Sequence, residues 1–137
     1  MSEGSKTESA PPKLPIGRDP ALRAIAMPAD SNARGDIFGG WILSQMDLAG
    51  GAAAMRRAKG RVATIAIASM TFNAPVFIGD EVSCYTEVVK VGHTSLTVKI
   101  ESWARRFASE ETVKVTEGLF TYVAIDADRQ KRPVPPA

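Results

Sequence analysis

One carboxylate, that of Asp47, lies in an apolar stretch seven residues after a glycine pair, Gly39-Gly40. A carboxylate in such surroundings is either a hydrogen-bonded structural group or a candidate general base or nucleophile. Glycines at a helix start leave backbone amides open to an approaching oxygen, and the helix dipole favours negative charge there. Such amides could stabilise the oxyanion that forms when an acyl carbonyl is attacked.

Both groups lie on one predicted helix. From Trp41 to Met55 there is no proline, and Leu, Met, Ala and Gln favour helix formation. Arginines and a lysine precede Gly60, where cations suit the helix dipole and glycine supplies a stop. The pattern predicts a core helix, about 25 Å long and buried nearly all round.

Asp47 shares its predicted helix face with small residues, including Gly50 and Gly51. Interior helical glycines cost about 1 kcal/mol each relative to alanine, so we expect another backbone or a ligand to approach closely. No Lys or Arg stands three or four residues away, so Asp47 lacks an intrahelical counter-ion. The alternative is a structural acid that accepts hydrogen bonds from backbone amides or from an arginine elsewhere in the fold.

The spacing between Gly40 and Asp47 also predicts an assembly. Seven helical residues span about 10 Å, which is too far for both groups of one helix to act on one carbonyl carbon. If both act on one substrate, they come from two chains. We therefore expect an obligate dimer with active sites at the subunit interface.

The run NARGDIFGGWILSQMDLAGG, residues 32–51, closely resembles the hotdog-fold acyl-CoA thioesterases, in particular the YciA-like branch. The similarity continues through residues 60–72, 75–80 and 90–95 and ends near residues 120–125. The resemblance implies an α+β hotdog fold, in which a curved antiparallel sheet wraps one long helix. It also implies hydrolysis of acyl-CoA thioesters, with coenzyme A as part of the substrate and no separate cofactor.

The resemblance implies catalytic roles for three residues. Asp47 would be the catalytic carboxylate, and the amides of Gly39 and Gly40 from the other subunit would bind the thioester carbonyl. Related branches carry His before the glycine pair, whereas this chain has Phe38, which offers no polar contact. Relatives often form hexamers as trimers of dimers, so we expect a homodimer and a hexamer built from it.

Weaker candidates for contact with the substrate are Asn32 and Asp36, in the loop before the helix, and Thr64. They could orient water or the thioester. Alternatively, Asn32 and Asp36 bond only their own backbone in a turn.

The resemblance also implies that the nucleotide of coenzyme A lies near the loop 91–95, with basic residues of neighbouring strands around it. Arginine suits phosphate because it makes charge-assisted, bidentate hydrogen bonds. The alternative is a solvated basic rim. The candidate nucleotide-binding residues are Gly92, His93, Thr94, Ser95, Arg61, Arg105 and Arg106.

The chain length of 137 residues predicts one domain. Residues 1–18 are polar and proline-containing and predict a disordered tail, residues 19–128 the hotdog domain, and residues 129–137 a basic, proline-rich C-terminal tail. Apolar patterning predicts strands over residues 22–27, 62–72, 82–91, 95–107 and 113–125. The charge-free stretch 62–72 predicts a central strand that is buried on both faces.

Composition argues against other classes. A net charge of +2 gives no basis for nucleic-acid binding, and one His with one Cys does not make a metal site. No signal-peptide or membrane pattern is present, and the single Cys84, predicted to be buried and inert, fits a reducing cytoplasm. Two alternatives stay open: a hotdog acyl-CoA dehydratase, which usually needs a catalytic His, and a non-catalytic acyl-CoA-binding sensor.

Overall fold

Five strands and one long helix form the computed structural model, which describes residues 14–15 and 17–137. The predicted N-terminal tail lies largely outside the described residues. In chain order the elements are β1 (Leu22–Ile25), a 3-10 helix (Pro28–Asp30), α1 (Gly39–Ala58), β2 (Val62–Phe72), β3 (Glu81–Val91), β4 (Ser95–Arg105) and β5 (Thr112–Ala124).

The strands form one antiparallel sheet in the order β1-β3-β4-β5-β2. Helix α1 contacts all five strands, so the sheet surrounds one side of the helix. Ile42 and Met46 of the helix are buried together with Val98 and Phe120 of the sheet. The predicted α+β hotdog architecture is confirmed.

Helix α1 is buried on its sheet side only. Leu48 is 59% exposed and Met55 is 47% exposed, so the prediction of burial nearly all round is wrong for the single chain. The helix has 20 residues and presents a second, partly apolar face away from its own sheet. No helix of the described residues has the length and apolar character required to cross a membrane.

The helix α1 was predicted to end because Gly60 supplies a stop, and this explanation is wrong. Lys59, not Gly60, adopts the left-handed conformation, with φ of 56°. A Cβ atom on Gly60 would lie 2.6 Å from Nη2 of Arg132. A larger residue at position 60 would therefore displace the Arg132 guanidinium group from its place beside the helix end.

Strand β2 has the predicted bounds but not the predicted place. It lies at an edge of the sheet, paired only with β5 among the described strands. Ile65 is 57% exposed and Ile67 is 45% exposed, so the prediction of a central strand buried on both faces is wrong for one chain. A long apolar edge strand invites pairing with another chain.

Strand β4 ends two residues earlier than predicted. The amide of Arg106 donates to the carbonyl of Glu111 (2.7 Å) and closes the turn toward β5. Within β4, Leu96, Val98 and Ile100 are buried, as the alternating pattern predicts.

The residues after β5 fold back on the domain. Asp126 accepts amide hydrogen bonds from Asp128 and Gln130 and forms a turn. Beyond it, the amide of Val134 donates to the carbonyl of His93 (2.8 Å), and Arg57 donates to the carbonyl of Pro135 (2.6 Å). Much of the predicted C-terminal tail is thus held against the helix end and the β3–β4 turn.

Candidate active site

The Asp47 carboxylate is held by hydroxyl groups from two neighbouring strands. Its Oδ1 accepts hydrogen bonds from Thr64 Oγ1 of β2 (2.7 Å) and from the Tyr122 hydroxyl of β5 (3.0 Å). Thr64 and Tyr122 face each other in the strand register. Asp47 therefore has hydrogen-bond partners, which are the hydroxyl groups of two side chains. The predicted alternatives, backbone amides or an arginine, do not fill this role.

Tyr122 reaches Asp47 because Gly50 leaves room for it. A Cβ atom on Gly50 would clash with the Tyr122 hydroxyl oxygen and with Cδ1 of Ile100. A close approach is therefore present at Gly50, but side chains of the same domain make it, and not the backbone or ligand that was predicted. Gly51 has only an ordinary contact, 3.9 Å from the Tyr122 ring to a built Cβ.

The Tyr122 hydroxyl remains protonated at neutral pH. Burial raises its pKa above the usual tyrosine value, and the hydrogen bond to Asp47 and the negative charge of Asp47 raise it further. It is consequently a fixed donor to the carboxylate.

The start of α1 presents open amides, as predicted. The helix begins after Phe38, which gives no side-chain cap. Among the described residues, neither the Gly39 nor the Gly40 amide donates a hydrogen bond to a backbone or side-chain acceptor. A Cβ on Gly40 would meet nothing within 4 Å, whereas one on Gly39 would lie 3.4 Å from the Phe72 ring.

A cavity of about 460 Å³ adjoins this helix start. Its walls come from the end of β2, the loop after it and the first turn of α1. An apolar group of a ligand would fit here, next to the open amides. The lining residues are Ile37, Gly39, Ile42, Phe72, Asn73, Ala74, Pro75 and Val76.

The loop candidates Asn32 and Asp36 are engaged in turn formation. Asn32 Oδ1 accepts amide hydrogen bonds from Arg34 (2.9 Å) and Asp36 (3.1 Å). The Asn32 amide donates to the Asp36 carbonyl (2.8 Å). These contacts shape the loop before α1, as the turn alternative predicts for Asn32, whereas Asp36 takes part through its backbone amide and carbonyl. A role of either side chain in orienting water stays a prediction.

The predicted nucleotide-binding residues fall into two groups at opposite ends of β4. The turn 92–95 and Arg61 lie together, since Thr94 and Arg61 carbonyls accept the amides of Ala124 and Ile125. Arg105 and Arg106 lie at the other end, about 33 Å away along an 11-residue strand. One chain therefore does not bring all seven candidates to one nucleotide.

Arg106 is already paired. Its Nη1 lies 2.6 Å from Oδ2 of the buried Asp80 and also donates to the carbonyl of Pro75 (2.8 Å). Its guanidinium packs over the Phe77 ring, 4.8 Å from the centroid. Arg105 is half exposed, with Nε 3.7 Å from Glu81.

The sequence prediction missed Tyr122, and it named Thr64 as a candidate for contact with the substrate rather than as a partner of Asp47. The available signal is a tyrosine in the apolar last part of β5, since a buried tyrosine hydroxyl usually needs a partner. Cys84, in contrast, is buried as predicted, and burial raises the pKa of its thiol to about 12.

The sequence and the fold match known proteins. Residues 34–106 match the model of the Thioesterase superfamily. YciA of Salmonella typhimurium, an acyl-CoA thioester hydrolase, is 52% identical over 117 residues, covering 83% of this chain and 88% of YciA. The chain belongs to the thioesterase superfamily.

Two solved structures of this superfamily resemble the chain over most of its length. The hexameric thioesterase y2039 of Yersinia pestis is 47% identical with a TM-score of 0.84, covering 90% of this chain and 100% of y2039. HI0827, described as a hexameric broad specificity acyl-coenzyme A thioesterase and solved with alanine in place of one aspartate, is 47% identical with a TM-score of 0.81, covering 85% of this chain and 86% of its own. The predicted YciA-like family and thioester hydrolase class are confirmed.

Proposed function

We propose that this thioesterase hydrolyses acyl-CoA thioesters to a free carboxylic acid and coenzyme A. The observation that carries the proposal is the Asp47 carboxylate, which two hydroxyl groups orient on a helix whose first amides are open. The substrate class comes from relatives about half identical in sequence. Coenzyme A enters as part of the substrate, so no separate cofactor is required.

The active site is completed by a second copy of the chain. Thr64 and Phe72 lie at equal distances in sequence from Ala68 on the free edge of β2. Antiparallel pairing of two β2 strands about Ala68 places Thr64 of one copy opposite Phe72 of the other. Because Thr64 contacts Asp47 and Phe72 contacts Gly39, Asp47 then faces the open helix start of the second copy.

In this arrangement water attacks the thioester carbonyl carbon. Asp47 takes a proton from that water, and the Gly39 and Gly40 amides of the other copy stabilise the oxyanion. Collapse of the tetrahedral intermediate breaks the carbon–sulfur bond, and the proton passes to the sulfur of coenzyme A. Alternatively, Asp47 attacks directly and forms a mixed anhydride that water cleaves; a single turnover in ¹⁸O-labelled water separates the two routes.

The cavity at the helix start receives part of the acyl or pantetheine group, and the β3–β4 turn with Arg61 receives the nucleotide. Arg105 and Arg106 join a nucleotide site only if another copy supplies the opposite end of β4.

We place the protein in the cytoplasm, which suits a single buried thiol.

The dimer further assembles into a hexamer, a trimer of dimers. This inference rests on y2039 and HI0827, both described as hexameric.

No contact in the described residues supports the alternative functions. His93 lies on an exposed turn rather than beside Asp47, so the dehydratase has no histidine at the carboxylate.

The test is thiol release from a panel of acyl-CoAs. Asp47→Asn should lower kcat by about 10²–10⁴-fold while the protein stays folded, because the carboxylate is the base. Asp128→Asn, on an exposed turn, is the matched control and should retain wild-type rates. Wild-type rates in a folded Asp47→Asn protein would contradict the assignment, and a wild-type protein that binds acyl-CoA without cleaving it would support a sensor.

Mixing two inactive variants tests the shared site. Asp47→Ala and Gly40→Val should each be inactive, and position 40 has room for a side chain. After subunit exchange, half of the dimers are mixed and each has one intact site, so activity should return to about a quarter of wild type. Absence of rescue after demonstrated exchange contradicts the two-chain site.

A further inference from the structure

The two hydroxyl groups that hold Asp47 contact the same carboxylate oxygen. Thr64 Oγ1 and the Tyr122 hydroxyl both donate to Oδ1, at 2.7 and 3.0 Å. Within the described part of the chain, Oδ2 accepts no hydrogen bond. Among the described residues, Ser102 Oγ is the only side-chain polar atom that is buried and has no hydrogen-bond partner. Since Oδ2 of Asp47 has no partner either, it is accessible to solvent. The carboxylate thus has one anchored oxygen and one free oxygen.

We propose that Tyr122 is a positioning residue that anchors Oδ1 and thereby makes Oδ2 the reacting oxygen of Asp47. This inference rests on the proposed thioester hydrolysis. A carboxylate attached by one rotatable bond can exchange its two oxygens, whereas two donors on Oδ1 fix which oxygen faces the reaction. Catalysis is sensitive to such placement, since a displacement of about 1 Å can cost 10²-fold in rate.

The surroundings of Tyr122 support a positioning role. The residue is only 1% exposed, and its hydroxyl lies 3.2 Å from the Asp47 carbonyl as well as 3.0 Å from Oδ1. Gly50, one helical turn beyond Asp47, makes space for the hydroxyl at the cost of a poorer helix former. A tyrosine that only filled the core would not require the hydroxyl to meet a helix backbone.

Tyr122 supplies orientation and no proton. In the general-base route, the water proton goes to Oδ2 and later reaches the thiolate sulfur of coenzyme A. In the nucleophilic route, Oδ2 forms the bond to the acyl carbon as the carbon–sulfur bond breaks. In both routes the O–H bond of Tyr122 stays intact.

The first experiment compares two tyrosine-to-phenylalanine variants. Tyr122→Phe keeps the ring and removes only the hydroxyl, so we expect kcat for acyl-CoA to fall about ten- to hundredfold with KM within about threefold of wild type. Tyr85→Phe removes the same group from the other buried tyrosine, which does not contact Asp47, and should retain wild-type kcat. Circular dichroism and thermal unfolding check that both variants fold.

The second experiment displaces the Tyr122 hydroxyl by adding a Cβ atom at Gly50. It is done in an Ile100→Val background, which removes the Cδ1 atom that would also clash with a new Cβ. Gly50→Ala should lower kcat when Tyr122 is present and change it little when residue 122 is phenylalanine. Equal losses in both backgrounds would show a packing effect and overturn the inference.

Failure of the inference differs from failure of the proposed function. If Asp47→Asn is inactive while folded Tyr122→Phe keeps wild-type kcat, or loses activity through KM alone, Tyr122 does not position Asp47 and the hydrolytic function stands. If folded Asp47→Asn retains wild-type activity, the proposed role of Asp47 fails and the inference fails with it. A fall in kcat for Tyr122→Phe but not Tyr85→Phe, together with inactive Asp47→Asn, supports both.

Discussion

At the scale of single residues, the charge of a side chain matters less than the group it meets. Arg105 and Arg106 are neighbours in sequence, and both were predicted to contact phosphate. Arg106 meets the buried Asp80 carboxylate, whereas Arg105 extends into solvent near Glu81. Adjacent arginines therefore have different expected roles.

We expect Arg106→Met to destabilise the fold by about 3–5 kcal/mol, because the substitution leaves the Asp80 carboxylate buried without its ion-pair partner. Urea unfolding measures the loss. Arg105→Met is the matched control and should change the free energy of unfolding by less than about 1 kcal/mol, since its ion pair is exposed. A stable Arg106→Met protein with a raised KM for acyl-CoA would instead support phosphate binding.

The sequence was sufficient to place Asp47 and the two glycines on one helix, because their types and spacing are local; their catalytic roles stay predictions. It was not sufficient to predict Tyr122. A tyrosine in a strand has the same local pattern whether its hydroxyl meets water or a carboxylate. The contact depends on the pairing of β5 with β2, which local residue types do not encode.

At the scale of elements, the Arg132 side chain holds the end of α1 against the neighbouring strands. The guanidinium donates to three carbonyls: Ala58 at the helix end, Ile125 after β5 and Arg61 before β2. It also occupies the space that a Cβ atom on Gly60 would need. One side chain thus joins the helix and both strands that carry the Asp47 hydroxyl donors.

Arg132→Met should lower the free energy of unfolding by about 1.5–3 kcal/mol, because charge-assisted hydrogen bonds to these carbonyls are lost. Chemical denaturation measures the change. Lys131→Met removes a neighbouring exposed charge and should have little effect. Equal stability of the two variants would mean that water replaces the guanidinium without cost.

Element bounds were predictable to within a few residues, since helix and strand periodicities are local. The position of β2 within the sheet was not predictable in this way. A charge-free strand of Ile and Ala has the composition of a central strand, and in this chain it lies at the sheet edge. The apolar composition fits a strand that a second chain covers.

At the scale of the whole molecule, the free edge of β2 leads us to expect association. Ile67→Lys should convert the oligomer to smaller species and abolish hydrolysis, because antiparallel β2 pairing brings the two introduced charges close together. Val89→Lys adds the same charge on β3 at a similar exposure, 47% against 45%, and is the matched control. Analytical ultracentrifugation and thiol release measure both effects. Full activity of a monomeric Ile67→Lys protein would contradict a site shared between chains.

The hydrogen bond from Tyr122 to Asp47 joins residues that are 75 positions apart. Contacts of such long sequence separation form late, since closing a long loop costs entropy before any contact forms. A partly folded chain can therefore contain helix α1 and still have a freely rotating Asp47 carboxylate. Catalytic turnover thus requires the completed fold as well as the second copy, and during refolding it should appear only after helical structure has returned.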